Sequence, residues 1–152
     1  LTREWRGKLN PSQIASITVL PPVTPNTGAY GDLGEDKLAK VRDILATALN
    51  TELTPLARGG TGKNLVVHAA VTAIKPNNPL LNIAPQTQIL KRGYGYASCE
   101  IYATDGQGGP VVAAFMQTSD TQRLSSEKLS DVGTAERASG DWAKEFAKLL
   151  SR

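Results

Sequence analysis

Between Gly93 and Thr104 the chain alternates without a break, with Tyr94, Tyr96, Ser98, Glu100 and Tyr102 on one parity and Gly95, Ala97, Cys99, Ile101 and Ala103 on the other. Successive side chains of a β-strand point to opposite faces, so this pattern makes a half-buried strand, with small and apolar residues against a core and tyrosines on the far side. Such a strand cannot cover its own apolar face. It requires neighbouring strands and a second layer, and the rest of the chain supplies candidates for both.

The turn-forming run DGQGGP (Asp105 to Pro110) is followed by VVAAFMQ (Val111 to Gln117), which reads as the hairpin partner of the alternating strand. NLVVHAAVTAI (Asn64 to Ile74) is a Val-rich strand ended by KPNNP, and IASITVL (Ile14 to Leu20) is a further strand whose ladder pairing is ended by Pro21-Pro22. Two segments carry the helical period instead. From Leu33 to Leu53 the residues Leu38, Val41, Leu45, Ala48, Leu49 and Leu53 recur at three- and four-residue steps, with Glu35 and Asp36 in the first turn and Pro55 and Gly59-Gly60 beyond the end. From Arg137 to Leu150, Trp142, Phe146, Leu149 and Leu150 form one stripe.

Both helices are one-sided, so both need a sheet to cover. The expected fold is an α+β two-layer sandwich in which a four-stranded, mostly antiparallel sheet, in chain order β-α-β-β-β-α, carries both helices on one face. The expected organisation is a single domain over residues 1–152, opening with a polar lead-in at residues 1–13. Lys75 to Arg92, with its three prolines, is expected to fold over the sheet edge.

Composition excludes several function classes. The 17 Lys and Arg against 14 Asp and Glu leave a net charge of +3, and the basic residues are scattered rather than gathered, so a mixed solvated surface is expected and nucleic acid is not an expected partner. No apolar run approaches the length that crosses a bilayer. The lone Cys99 cannot form an internal disulfide and is silent on compartment. A start at Leu1 rather than methionine fits removal of an upstream segment such as a signal peptide.

RGGTGKNLVV (Arg58 to Val67) resembles a phosphate-binding loop but fails its chemistry. Ala57 stands where the first glycine is needed and Asn64 where a metal-binding hydroxyl is needed, and the run follows a helix and precedes a strand, the reverse of the required order. His68 is the single histidine, with no second imidazole or thiolate set for zinc, and Cys99 shares its parity with core-type residues. The carboxylates are too evenly spread to nominate an acid/base pair, and the serines of SDTQRLSSEKLSD have no nucleophile elbow. No catalytic, cofactor or metal site is expected, and the protein is not expected to be an enzyme.

One surface remains. If the helices cover the other side of the sheet, Tyr94, Tyr96, Glu100 and Tyr102 project from an open face, joined by His68 on its own strand, as a candidate interaction face. The competing reading packs these tyrosines under Lys75 to Arg92. A small-molecule-binding domain or enzyme using that face, or the pocket under residues 75–92, is the alternative function.

LVVHAAVTAIKPNNPLLN, GYGYASCEIYATDGQGGPVVAAF and the C-terminal WAKEFAKLL together resemble a family of bacterial lipoproteins, domain-of-unknown-function family 3313, over residues 14 to 150. The resemblance implies an exported chain that faces the periplasm in the cell envelope, tethered to the outer membrane by a lipid on a cysteine upstream of Leu1. It also implies an accessory or assembly role whose partner is another envelope protein or envelope component. It brings no catalytic residue with it.

Overall fold

The structure, a computed structural model of the chain, describes residues 1–75, 96–120 and 133–152. Its elements run β1 (Thr2–Arg6), β2 (Ile14–Val19), α1 (Glu35–Leu53), β3 (Lys63–Lys75), β4 (Tyr96–Asp105), β5 (Val111–Asp120) and α2 (Gly133–Leu150). The strands form one mixed sheet in the order β1-β5-β4-β3-β2. Only β2 and β3 pair in parallel; the other neighbours are antiparallel. The parallel pair is the one joined through α1, since parallel neighbours need a crossover connection whereas β4 and β5 close with a short turn. That turn is built on glycine: Gly106 and Gly108 have φ of 79° and 72°, and the Asp105 amide donates to the Pro110 carbonyl at 2.9 Å.

One face of the sheet is core. Leu65, Val67, Ala69 and Val71 of β3, Ala97, Cys99, Ile101 and Ala103 of β4, and Ala113 and Phe115 of β5 cluster with residues of both helices. Helix α1 brings Val41, Leu45, Leu49 and Leu53, a stripe at four-residue steps, and α2 brings Trp142, Phe146, Leu149 and Leu150. The helices touch each other, with α2 over β4 and β5 and α1 beside β2. Small residues on the strands leave room for the large helix side chains, and full burial of a side chain such as Phe146 contributes about 1.5–3 kcal/mol.

The sheet differs from the expected one in strand number. Among the described residues it has five strands, because residues 2–6 of the supposed lead-in form β1 and pair with β5, Thr2 facing Gln117 and Arg6 facing Ala113. Hydrophobic patterning could not announce this strand: its helix-side positions are Thr2, Glu4 and Arg6, and Glu4 meets Arg152 at 2.9 Å rather than joining the core. Pro21-Pro22 also interrupts pairing without ending it. The Val23 amide donates to Ala69 O and the Ala29 amide to Thr72 O, so the chain resumes contact with β3 beyond the prolines and covers its edge. Helix α2 starts at Gly133, ahead of the expected Arg137. The expectation that Lys75 to Arg92 folds over the sheet edge lies, beyond Lys75, outside the described residues.

Candidate functional site

The face of the sheet away from the helices is organised by cross-strand register. Trp5 lies opposite Ala114, Ala114 opposite Tyr102, and Tyr102 opposite His68, which places Trp5, Ala114, Tyr102 and His68 in one row across four strands. The adjacent row is Arg3, Met116, Glu100 and Ala70, reached from the edge by Val23. Trp5 is 53% exposed and Tyr102 and Met116 are each 39% exposed, far above what core residues of these types show. Directly opposed residues on one face stand about 4.5–5.5 Å apart at Cβ, close enough for side chains to form a continuous surface.

Two hollows flank Tyr102 in this face, and among the described residues a further one of about 250 Å³, lined by Thr72, Ser98, Glu100, Met116 and Thr118, lies farther along β4. Of the two beside Tyr102, the larger, about 350 Å³, has Ala114 as its low floor, with Trp5, Met116 and Tyr102 around it and Arg3 and Glu100 at its polar margin. The smaller, about 210 Å³, lies between His68 and Ala70 on one side and Leu20, Pro21 and Val23 on the other. Tyr102 and Glu100 line both, so they form the ridge between the hollows. The Trp5 ring is laid back over Gly7, where an added Cβ would come within 2.9 Å of it. His68 and Tyr102 stack with ring centroids 4.4 Å apart, and the His68 Nε2 is buried with no hydrogen-bond partner among the described residues. Neither Arg3 nor Glu100 has a hydrogen-bond or ion-pair partner among the described residues.

The structure thus brings together Tyr102, Glu100 and His68. Tyr96 projects from the same face but at the other end of β4, beyond Ser98, whose hydroxyl is held at 2.8 Å by Thr118. Tyr94 lies outside the described residues. Trp5, Arg3, Met116 and Val23 were missed by sequence reasoning, the first two because β1 was not recognised. The available signal was Trp5 itself, a strand-favouring aromatic on the opposite parity from Glu4 in a short charged stretch.

The glycine run before β3 has a structural role. Gly59 and Gly60 have φ of 75° and 83°, and a Cβ on Gly62 would sit 1.9 Å from the Gln13 carbonyl oxygen. The Arg58 and Gly59 amides donate to Ile14 O and Ala15 O at 2.9 Å, which docks the loop on β2. Lys63 pairs with Asp105 at 2.6 Å. The Arg58 and Gly59 amides and the Lys63 ammonium are therefore committed within the fold. Cys99 is 2% exposed, and burial pushes its thiol pKa up, opposed by a backbone hydrogen bond from Gln117 and reinforced by the Glu100 carboxylate. Among the described residues no three His, Cys, Asp or Glu side chains gather as a metal site, and no helix is long and apolar enough to cross a membrane.

The chain is similar to several solved structures. A PelC dodecamer from Paraburkholderia phytofirmans is 16% identical, with 99% of this chain and 96% of that one covered and a TM-score of 0.48. A Caulobacter crescentus protein described as a lipoprotein is 14% identical over 93% of this chain and 92% of its own, at a TM-score of 0.49. A minor lipoprotein from Acinetobacter baumannii is 12% identical over 91% and 93%, at 0.45. No curated protein matches the chain. The family model described as Protein of unknown function (DUF3313) matches residues 2–146, and the chain belongs to that family.

Proposed function

We propose that this protein is a non-enzymatic component of the bacterial cell envelope that works by docking another envelope protein, or a component of the envelope, on the open face of its sheet. The observation that carries the reading is the pair of cross-strand rows in which Trp5, Tyr102 and Met116 stay exposed beside Arg3 and Glu100, which have no partner among the described residues. Aromatic and methionine side chains with an arginine are the composition that protein interfaces favour. The periplasm-facing, outer-membrane-anchored address rests on the family resemblance, through a lipid on an upstream cysteine.

A photo-crosslinking amino acid placed at Met116 in the native host tests the docking face. It is expected to yield a discrete protein adduct that the same group at Thr47, on the exposed side of α1, does not. Equal adducts from both positions, or none from Met116, would refute the reading. The address is tested by the complete gene product: a signal sequence with a lipidated cysteine, seen by mass spectrometry of the mature N-terminus, supports it, and a cytoplasmic product ends it.

The 350 Å³ hollow favours a second reading, a small-molecule site, because its volume falls in the range of ligand pockets. A metabolite that raises the melting temperature in a thermal-shift screen, and loses the effect in Trp5→Ala, would favour that reading over docking.

A further inference from the structure

Each strand of the open face carries a contrasted pair of residues, one in each of the two rows. On β1 the pair is Trp5 and Arg3, on β5 Ala114 and Met116, on β4 Tyr102 and Glu100, and on β3 His68 and Ala70. The members of each pair suit one another across an interface. A guanidinium stacks on an indole face, a phenol hydroxyl donates to a carboxylate, and a large side chain fills the space above an alanine. Within one sheet the two members stand side by side, about 6.8 Å apart along the strand, and point the same way. They meet when one row faces the other row of a second sheet.

A two-fold axis running across the strands, between the two rows, produces that meeting. It lays a second sheet face down on the first, each strand antiparallel to its own copy. Met116 then enters the hollow of about 350 Å³ over the partner's Ala114. Arg3 lies on the partner's Trp5, whose ring rests back over Gly7 and stays exposed. Glu100 accepts from the partner's Tyr102, and His68 stands over the partner's Ala70. Every contact occurs twice. The other face-to-face arrangement, with its axis along β5, sets Arg3 against the partner's Glu100 but stacks Ala114 on Ala114, so two hollows merge into one unfilled space. Unfilled apolar volume costs more than exposed ion pairs return, which favours the crosswise axis.

Charge selects the same partner. Among the described residues the two rows hold one unpartnered cation, Arg3, and one unpartnered anion, Glu100, so a copy of the face matches it in net charge. A partner surface of one predominant sign would set a like charge against one of them. We propose that the open face docks a second copy of this chain, as a two-fold dimer in which Met116 of each protomer fills the hollow over Ala114 of the other. This rests on the docking reading and names the docked protein. The rows span four strands, roughly 14 Å between the outer two, so the contact belongs to the small, reversible class.

The test is sedimentation velocity from about 1 µM to about 1 mM, the range in which such contacts form and dissociate. A reversible rise from monomer to dimer mass is expected. Met116→Lys places a charge in the apolar hollow and should weaken the dimer at least about tenfold, while the exposed position leaves the monomer's melting temperature in place. Met116 is the only methionine, so a methyl-labelled sample gives one NMR reporter. Mixed with unlabelled chain, it should show an intermolecular nuclear Overhauser effect to the partner's Ala114 methyl. The proposal is overturned if the protein stays monomeric, if Met116→Lys leaves the dimer unchanged, or if the effect runs to the partner's Met116 instead. A monomer at every concentration, together with a Met116 adduct to a different protein, overturns self-pairing and leaves the docking face standing. Failure of both removes both.

Discussion

Tyr102 lies flat against His68 across the β3–β4 pair, with ring planes 7° from parallel. The stack encloses one imidazole nitrogen, Nε2, that is buried and has no partner among the described residues. Stacked aromatic pairs are worth about 0.5–1.5 kcal/mol beyond the area they bury. A double-mutant cycle with His68→Ala and Tyr102→Ala, measured by urea denaturation, is expected to return a coupling of that size. His68→Phe keeps the stack while removing the orphaned nitrogen, so it should be neutral or stabilising by up to about 1 kcal/mol.

Ser139 is fully buried in α2, and its hydroxyl has no hydrogen-bond partner among the described residues. Ser139→Ala removes a buried unsatisfied group and installs the strongest helix former. It should stabilise the protein by about 0.5–2 kcal/mol, raising the thermal midpoint. A loss of stability would mean that the hydroxyl has a partner.

Cys99 is protonated and sealed in the core, so native-state alkylation should be far slower than in urea. Its pKa is raised from an ordinary value of 9.0, so the unfolded thiol ionises first as pH climbs while the native one stays neutral. The contribution is complete below pH 9.0 and is lost progressively above it, at up to about 1.4 kcal/mol per pH unit, until the folded thiol ionises too. Cys99→Ala should cost about 1 kcal/mol at neutral pH and flatten the alkaline loss seen in denaturation curves. The backbone hydrogen bond from Gln117 gives the side chain a polar partner on this face, so Cys99→Ser should be closer to Cys99→Ala than an apolar surround would allow.

The glycines before β3 should separate by mechanism. Gly62→Ala drives a Cβ into the Gln13 carbonyl, so either the loop or β2 must move, and a cost of about 2–4 kcal/mol is expected. Gly59→Ala meets no atom within 4 Å and suffers only its φ of 75°, a cost of about 1 kcal/mol. Thermal unfolding of the two variants checks the ranking. ATP should shift neither midpoint, nor that of the parent protein.

Removing residues 1–6 should lower stability and expose the outer edge of β5. The Thr118 amide, which donates to Leu1 O at 2.9 Å, should lose its hydrogen-exchange protection, while amides in the centre of β3 keep theirs until global unfolding.

The parts of this fold that read clearly from sequence are those that bury an apolar stripe. Leu45, Leu49 and Leu53 announce α1, and Cys99, Ile101 and Ala103 announce the core side of β4, because burial on one face forces a period on the residues. The same alternation placed Tyr102 and Glu100 on the open side, and the parity of β3 placed His68 there. Where an element buries nothing apolar on its inner side, the period is absent: β1 faces the helix layer with Thr2, Glu4 and Arg6. Trp5 and Arg3 were therefore invisible as neighbours of Tyr102. Their meeting depends on register between strands more than a hundred residues apart in sequence, and no local pattern encodes it.

Both edges of the sheet come from its first nineteen residues, with β1 at one margin and β2 at the other. A ribosome delivers these edges before any strand they pair with exists. Thr2 waits for Gln117 and Val19 for Val67, so closing the margins means closing long loops, the slow class of folding step. The consequence concerns timing: β1 stays unpaired until β5 is available, which makes sealing of that margin of the sheet a late event rather than an early one.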